Sequence, residues 1–170
     1  MLVSVSDTHR RDDPGLTSHL RSVVDEADLV THTGDFTTEA VLDSFAELAD
    51  TLVAVPGNRD RPAVERRLPA TTTTEWAGYR FLLAHGHEHD ETSLSLLARQ
   101  ENAAVILTGH THRPVVDTIG ECLHVNPGSY ADPRRYRPAY AAFEATTDGL
   151  RVELRDPEGE AFESRAIALE

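Results

Sequence analysis

Apolar and polar positions alternate along the chain in blocks of recognisable period. Leu2-Val3-Ser4-Val5-Ser6 reads as a short strand that ends at Asp7. Pro14 to Ala27 carries Leu16, Leu20, Val23, Val24 and Ala27 on one stripe and predicts a helix. Asp28 to His32 predicts a second strand, which runs into Gly34-Asp35. Thr38 suits an N-cap, and Ala40, Val41, Phe45 and Leu48 follow at helical spacing. Thr51 to Val55 reads as a third strand, closed by Pro56-Gly57. This β-α-β-α-β run is the signal for a parallel sheet with right-handed crossovers, hence an α/β class.

The second half changes texture. Thr71 to Trp76 and Tyr79 to Ala84 flank Ala77-Gly78 as a hairpin, with the threonine run suiting strand entry. Asp90 to Asn102 predicts a third long helix with Leu94, Leu97 and Ala98 apolar, and Ala103 to Leu107 a buried strand. Val115 to Ile119 and Glu121 to Val125 flank Gly120 as a second hairpin. Ala139 to Ala145, Leu150 to Arg155 and Ala161 to Ala168 alternate around Asp148-Gly149 and Pro157-Glu158-Gly159, which predicts antiparallel strands. There is no repeat and no linker, and 170 residues fit one domain spanning 1–170.

Charge narrows the partners. Acidic residues number 29 against 16 cations, a formal net charge of −13, and every cation is arginine. Such a surface repels nucleic-acid backbones and anionic membranes, which argues against general nucleic-acid binding. Lysine loss with acid excess fits a salt-rich, halophilic host, where molar salt shortens the Debye length to about 3 Å and screens self-repulsion. A GC-rich genome that exchanges lysine codons for arginine is the plainer alternative. A lone cysteine, Cys122, leaves no intrachain disulfide and no cysteine-cluster metal site, and points to a reducing, cytoplasmic address. Neither a membrane span nor a signal peptide is expected, because the apolar stretches are short and no basic leader precedes the first strand.

The informative residues stand just after the strands, where α/β sheets bind ligands. Asp7-Thr8-His9 follows the first strand, Gly34-Asp35 the second and Gly57-Asn58-Arg59-Asp60 the third. Later strands are followed by His85-Gly86-His87, Gly109-His110-Thr111-His112 and Asn126-Pro127-Gly128-Ser129. Each piece alone has an ordinary structural reading as a turn, a cap or a satisfied histidine. Together they bring hard oxygens and imidazoles to one rim, a donor set suited to Mn2+, Fe2+, Ni2+, Co2+ or Zn2+ and unlike a thiolate structural zinc site. Three oxygen donors and four imidazoles suffice for two ions, and two ions clamp a phosphoryl group.

In this order and spacing, Asp7-x-His9, Gly34-Asp35, Gly57-Asn58, His85 of His-Gly-His and Gly109-His110-x-His112 resemble the calcineurin-like metallophosphoesterases, specifically the small phosphodiesterases of bacteria and archaea. The resemblance covers essentially the whole chain. It implies a four-layer αββα sandwich of two mixed β-sheets flanked by helices. It also implies two divalent ions, Mn2+ first among the candidates. Asp7, His9, Asp35 and His112 would hold one, and Asp35, Asn58, His85 and His110 the other, with Asp35 bridging. The activity implied is hydrolysis of a small phosphodiester by in-line attack of a metal-bridging hydroxide. A phosphomonoesterase or nucleotide pyrophosphatase with the same centre is the alternative. A non-catalytic protein-binding scaffold, as in the retromer coat, is another, and dimers are common among small relatives.

One departure bears on specificity. Where much of the family has a histidine after the asparagine, this chain has Arg59, which cannot give up its proton near neutral pH and so can hold phosphate but not protonate a leaving group. Catalytic roles accordingly fall to Asn58, Arg59 and Asp60, with Arg59 and His87 as substrate contacts. Asp60 is expected either to orient Asn58 or a ligand histidine or to serve the turn itself. His32 is expected as a supporting or structural residue. The cationic cluster Arg134, Arg135 and Arg137 either draws in an anion or is paired on a solvated loop.

Overall fold

The computed structural model describes residues 1–168. In chain order the elements are β1 (Leu2–Val5), α1 (Ser18–Asp25), β2 (Leu29–His32), α2 (Glu39–Leu48), β3 (Leu52–Ala54), α3 (Pro62–Glu65), β4 (Thr71–Trp76) and β5 (Tyr79–Ala84). The remainder are α4 (Glu91–Glu101), β6 (Val105–Leu107), β7 (Pro114–Ile119), β8 (Cys122–Pro127), β9 (Tyr140–Thr146), β10 (Gly149–Arg155) and β11 (Ala161–Ala168).

The strands form two mixed sheets. One has the order β11-β10-β9-β1-β2-β3, with β1, β2 and β3 parallel and β9, β10 and β11 joined to them antiparallel. The other has the order β4-β5-β6-β8-β7, with β5, β6 and β8 parallel and an antiparallel strand at each edge. Successive side chains on a strand point to opposite faces, and here both faces are apolar. Leu2, Leu29, Phe81, Leu83, Val105, Leu107, Val125 and Phe143 meet between the sheets. Their neighbours Val3, Val30 and Ala142 turn outward to Leu20, Val24, Val41 and Phe45 of α1 and α2. Leu82, Ala84 and Ile106 turn outward to Leu94 and Ala98 of α4. Each large apolar side chain fully buried in this way is worth roughly 1.5–3 kcal/mol. Phe81 and Phe143 tie the sheets together edge to face, with ring centroids 5.4 Å apart. The four layers are those of the αββα sandwich, and among the described residues no helix is long and apolar enough to cross a membrane.

Some boundaries differ from the sequence expectation. The first helix begins at Ser18 rather than Pro14, because Gly15 is left-handed (φ 64°) and the Thr17 hydroxyl accepts from the Leu20 N–H, 3.2 Å. Leu16 still packs on the outer core, which is why its spacing reads as helical. Thr38 occupies the N-cap of α2, but its hydroxyl donates to the Arg11 carbonyl instead of accepting a helix N–H. The short α3, opened by Pro62, has too few residues to show a period.

Two parallel triplets, β1-β2-β3 and β5-β6-β8, therefore deliver their carboxyl ends to one rim. The segments beyond those ends carry Asp7, Asp35, Asn58, His85, His110 and Ser129.

Candidate metal centre

The backbone at this rim is unusual. Asp7, His9, Asp35, His110 and His112 all lie in the left-handed region, with φ of 52°, 47°, 60°, 66° and 58°. L-residues avoid that region at a cost of order 1–3 kcal/mol each, and such strain clusters at functional sites. Hydrogen bonds hold it in place. The Asp7 N–H donates to the Gly34 carbonyl and the His9 N–H to the Asp35 carbonyl, both 2.9 Å. The His110 N–H donates to both Asp7 carboxylate oxygens, at 3.1 and 3.0 Å. The loops also approach closely: a Cβ on Gly57 would overlap the Asp35 carboxylate, and one on Gly109 would overlap the Ser6 hydroxyl.

All seven candidate donors converge. Asp7, His9 and His112 offer ligand atoms within 4.8 Å of one another, as do Asp7, Asp35 and His85. Asp7 is common to both groups, and Asp35 Oδ2 of the second reaches toward the first, 3.2 Å from His9 Nε2 and 3.5 Å from His85 Nε2. Asn58 Oδ1 is 3.2 Å from His85 Nε2 and 3.0 Å from His110 Nδ1.

The tautomers show what such a cluster requires. His85 Nδ1 donates to the Thr33 carbonyl at 2.6 Å, and His112 Nδ1 to the Asp132 carbonyl at 2.5 Å. With Nδ1 carrying the hydrogen, each neutral ring presents a bare lone pair at Nε2. His112 Nε2 faces His9 Nε2 at 3.2 Å and Asp7 Oδ1 at 3.5 Å. His85 Nε2 faces the oxygens of Asn58 and Asp35. At His85, acceptors aimed at acceptors repel unless a cation lies among them. Carboxylates, an amide oxygen and imidazoles are the donors that divalent Mn, Fe, Co, Ni or Zn accept, so the residues present fit divalent metal ions.

Electrostatics agree. Burial opposes charge on Asp35, yet the neighbouring His85 and His9 imidazoles and the Arg59 N–H (2.7 Å) hold its carboxyl well below the usual range. Burial likewise opposes charge on His85, but Asp35 and then Asp7 outweigh it and raise the imidazole pKa. Asp7 is fully buried, and desolvation wins there: its pKa is raised despite His85, the Ser6 hydroxyl and His112. His110 is lowered, first by desolvation and then by repulsion from His85. The centre is thus a set of groups whose charges depend on one another.

The supporting residues differ in part from expectation. Asp60 touches neither Asn58 nor a histidine. Its carboxylate accepts from the backbone N–H groups of Gly57 (2.8 Å), Asp35 (3.1 Å) and Thr37 (2.6 Å), so it fixes the loops that carry Asp35 and Asn58. Burial raises its pKa against those three donors. His32 is buried, stacked on Phe36 with centroids 3.6 Å apart, and serves the loop after β2. Among the described residues Arg59 makes no ion pair with Asp60, and its exposed side chain lines the cleft beside Asp35, Asn58 and His110. His87 is exposed, its ring 5.2 Å from His85 and 6.1 Å from His110. The turn after β8 braces the floor: Asn126 Nδ2 donates to the Gly109 carbonyl and Ser129 Oγ to the Asp7 carbonyl, both 2.7 Å. Of the cationic cluster, Arg137 is taken up by Asp156 at 2.9 Å, whereas Arg134 lines the cleft. Sequence reasoning missed Ser6, Thr33 and the Asp132 carbonyl. Only Ser6, adjacent to Asp7, carried any signal; the other two act through backbone carbonyls that every residue has.

The model of the calcineurin-like phosphoesterase superfamily domain matches residues 1–148. The chain belongs to that superfamily. Two archaeal relatives are named as probable metallophosphoesterases. That of Methanocaldococcus jannaschii is 36% identical over 79% of this chain and 70% of its own length. That of Methanothermobacter thermautotrophicus is 31% identical over 91% of each chain. The phosphodiesterase YfcE of Escherichia coli K12 is 34% identical over a shorter stretch, 58% of this chain and 55% of its own. Among solved structures, a conserved Streptococcus pneumoniae TIGR4 protein described as a predicted phosphoesterase is 27% identical, with TM-score 0.76 over 99% of this chain and 97% of that one. A Vps29 mutant from Entamoeba histolytica reaches TM-score 0.79 at 20% identity over 98% of each chain, which places it in the same fold. The superfamily's chemistry calls for divalent metal ions, and the residues gathered here are candidate ligands for them.

Proposed function

We propose that this calcineurin-like phosphoesterase is a phosphodiesterase dependent on two divalent ions, acting on a small phosphodiester. The observation that carries the reading is the pair of donor groups that share Asp7 and are linked by Asp35 beside His9 and His85, with the His85 Nε2 lone pair facing oxygens. Asp7, His9, Asp35 and His112 would hold one ion and Asp35, Asn58, His85 and His110 the other. Mn2+ is the first choice for both. Such a pair of ions supplies Lewis acidity toward the phosphoryl oxygens and lowers the pKa of the attacking water.

The chain's own residues govern charge and protons during the displacement. As the water oxygen bonds to phosphorus, the opposite P–O bond breaks, and water's proton and the departing alkoxide must both be accommodated. Arg59, exposed beside the donors, offsets negative charge on the phosphoryl group but keeps its proton. The departing oxygen is thus protonated by solvent or leaves as the anion, which favours diesters with good leaving groups over monoesters. His87 is placed to contact the substrate, and Asp60 acts as a positioning residue by holding the Asp35 and Asn58 loops. YfcE's name as a phosphodiesterase supports the diester reading. The protein-binding scaffold is the second reading, supported by the Vps29 fold neighbours. Convergence of all seven donors favours catalysis.

Turnover tests this directly. Chelator-treated protein should be inactive, with Mn2+ restoring hydrolysis of bis(p-nitrophenyl) phosphate. Asp35→Asn and His110→Ala should lose several orders of magnitude in kcat while unfolding near the parent temperature. A higher kcat/KM for p-nitrophenyl phosphate than for the diester would overturn the diester reading. No turnover of either would favour the scaffold.

A further inference from the structure

Charge is unevenly distributed around the rim. Arg59 and Arg134 share a cleft of about 330 Å³ with Asp35, Asn58, His110 and Thr111. From Thr111 and Arg134 a second hollow of about 310 Å³ continues to Arg135 and Tyr136. A neighbouring cleft differs. There Gly57 and His87 open a cleft of about 320 Å³ walled by Pro56, Leu68 and Ala70 and edged by Glu65 and Glu88. A phosphodiester centred on the donors has two ester arms. One arm would lie at a groove lined by arginines and the other at a cleft that mixes Pro56, Leu68 and Ala70 with Glu65 and Glu88.

The groove is built into the centre. His112 Nδ1 donates to the Asp132 carbonyl, the Asp132 N–H donates to Ser129 Oγ at 2.8 Å, and Ser129 Oγ donates to the Asp7 carbonyl. The segment bearing Arg134 is thus tied to two of the candidate metal donors, and Arg134 itself is held left-handed at φ 52°. Its guanidinium is available. The acid beside it, Asp132, is 3.8 Å away and both side chains are about half exposed (54% and 43%), a loose pair that contributes little. Arg137, by contrast, is committed to Asp156 and lies over the Phe162 ring at 4.4 Å. In a chain of net charge −13, Arg59 and the loosely paired Arg134 place two guanidinium groups on the cleft beside the donors.

We propose that the groove of Arg59, Arg134 and Arg135 is a substrate subsite for an ester arm that carries a second negative charge, and that the uncharged leaving group occupies the Pro56, Leu68 and Ala70 cleft. The substrate class is then an asymmetric phosphodiester with a phosphate, carboxylate or sulfonate on one arm. The inference rests on the phosphodiesterase reading above.

The test holds the leaving group constant and varies the arm. Ethyl, 2-sulfoethyl and 2-(trimethylammonio)ethyl esters of p-nitrophenyl phosphate are compared with Mn2+-loaded protein. Binding is read separately, by calorimetric titration of diethyl phosphate and ethyl 2-sulfoethyl phosphate. Both readouts should favour the sulfoethyl compound over the ethyl one by about tenfold, as for a charge-assisted hydrogen bond of roughly 1.5 kcal/mol. The trimethylammonio ester should be the poorest. Arg134→Gln should erase the preference, whereas Arg137→Gln should retain it. Hydrolysis of all three esters at equal kcat/KM, with equal binding, overturns the subsite and leaves the phosphodiesterase reading intact. Preferential binding of the sulfoethyl compound without turnover overturns catalysis and leaves the subsite. A preference that survives Arg134→Gln also overturns the assignment.

Discussion

His32 is a polar side chain committed wholly to placement. Its Nδ1 accepts from the Gly34 N–H at 3.1 Å, so the hydrogen is on Nε2, which donates to the Thr8 hydroxyl at 2.9 Å. The ring thereby joins the loops after β1 and β2, which carry Asp7 and Asp35. Burial pushes its pKa well below the ordinary imidazole value, with repulsion from His85 adding to the effect. The unfolded ring titrates near 6.5. As pH falls through that value the unfolded chain binds a proton that the folded chain refuses, so the stability is present above the unfolded pKa and is lost on acidification. The urea midpoint should therefore drop between about pH 7.5 and about pH 5.5. The drop should be shallower in His32→Gln, which can keep the amide bonds without titrating. An equal slope in the variant would contradict the assignment. Asp60 teaches the same lesson from the other side. Its spacing from Asn58 suggests contact with that residue, yet its oxygens are taken up by three N–H groups, one in its own turn (Gly57) and two on the loop after β2 (Asp35 and Thr37), because a buried carboxylate must find donors wherever the fold supplies them.

Elements were legible where a period had room to show. The hairpin of β4 and β5 turns at Ala77-Gly78 as expected, with Trp76 paired to Tyr79. The helix α4 is bounded by Asp90, whose carboxylate accepts from the Ser93 N–H at 2.8 Å, and by left-handed Asn102, both readable as caps. The four-residue α3 and the lead-in before α1 were not readable, the first for want of length and the second because Leu16 extends the apolar stripe without being helical. Strand order was beyond local pattern as well. β8 pairs with β6 in parallel as well as with its hairpin partner β7, and only packing of Leu123 and Val125 between the sheets decides that. At the centre, residue types announced the chemistry, but the left-handed backbone at Asp7, His9, Asp35, His110 and His112 did not. Nothing in an aspartate or a histidine requires positive φ; the close approach of the loops imposes it.

For the molecule as a whole, charge and fold make separate demands. A net charge of −13 with no lysine leaves acids to repel one another across a surface whose ion pairs are few and mostly exposed, such as Arg67 with Asp43. Screening should relieve this, so the melting temperature should rise steadily from dilute buffer to multimolar KCl. A flat or falling curve would favour codon bias as the origin of the composition. The two-sheet architecture, meanwhile, brings two parallel triplets of strands to one rim and so gathers donors from five separate segments. The most direct test of that gathering is a Mn2+ titration of the chelator-treated protein. Two ions should bind per chain, and Asp35→Asn should weaken both sites together, because Asp35 Oδ2 lies between His9 and His85. Fewer than two sites in the native chain, or loss of one site with the other untouched in Asp35→Asn, would contradict a metal pair built around a shared carboxylate.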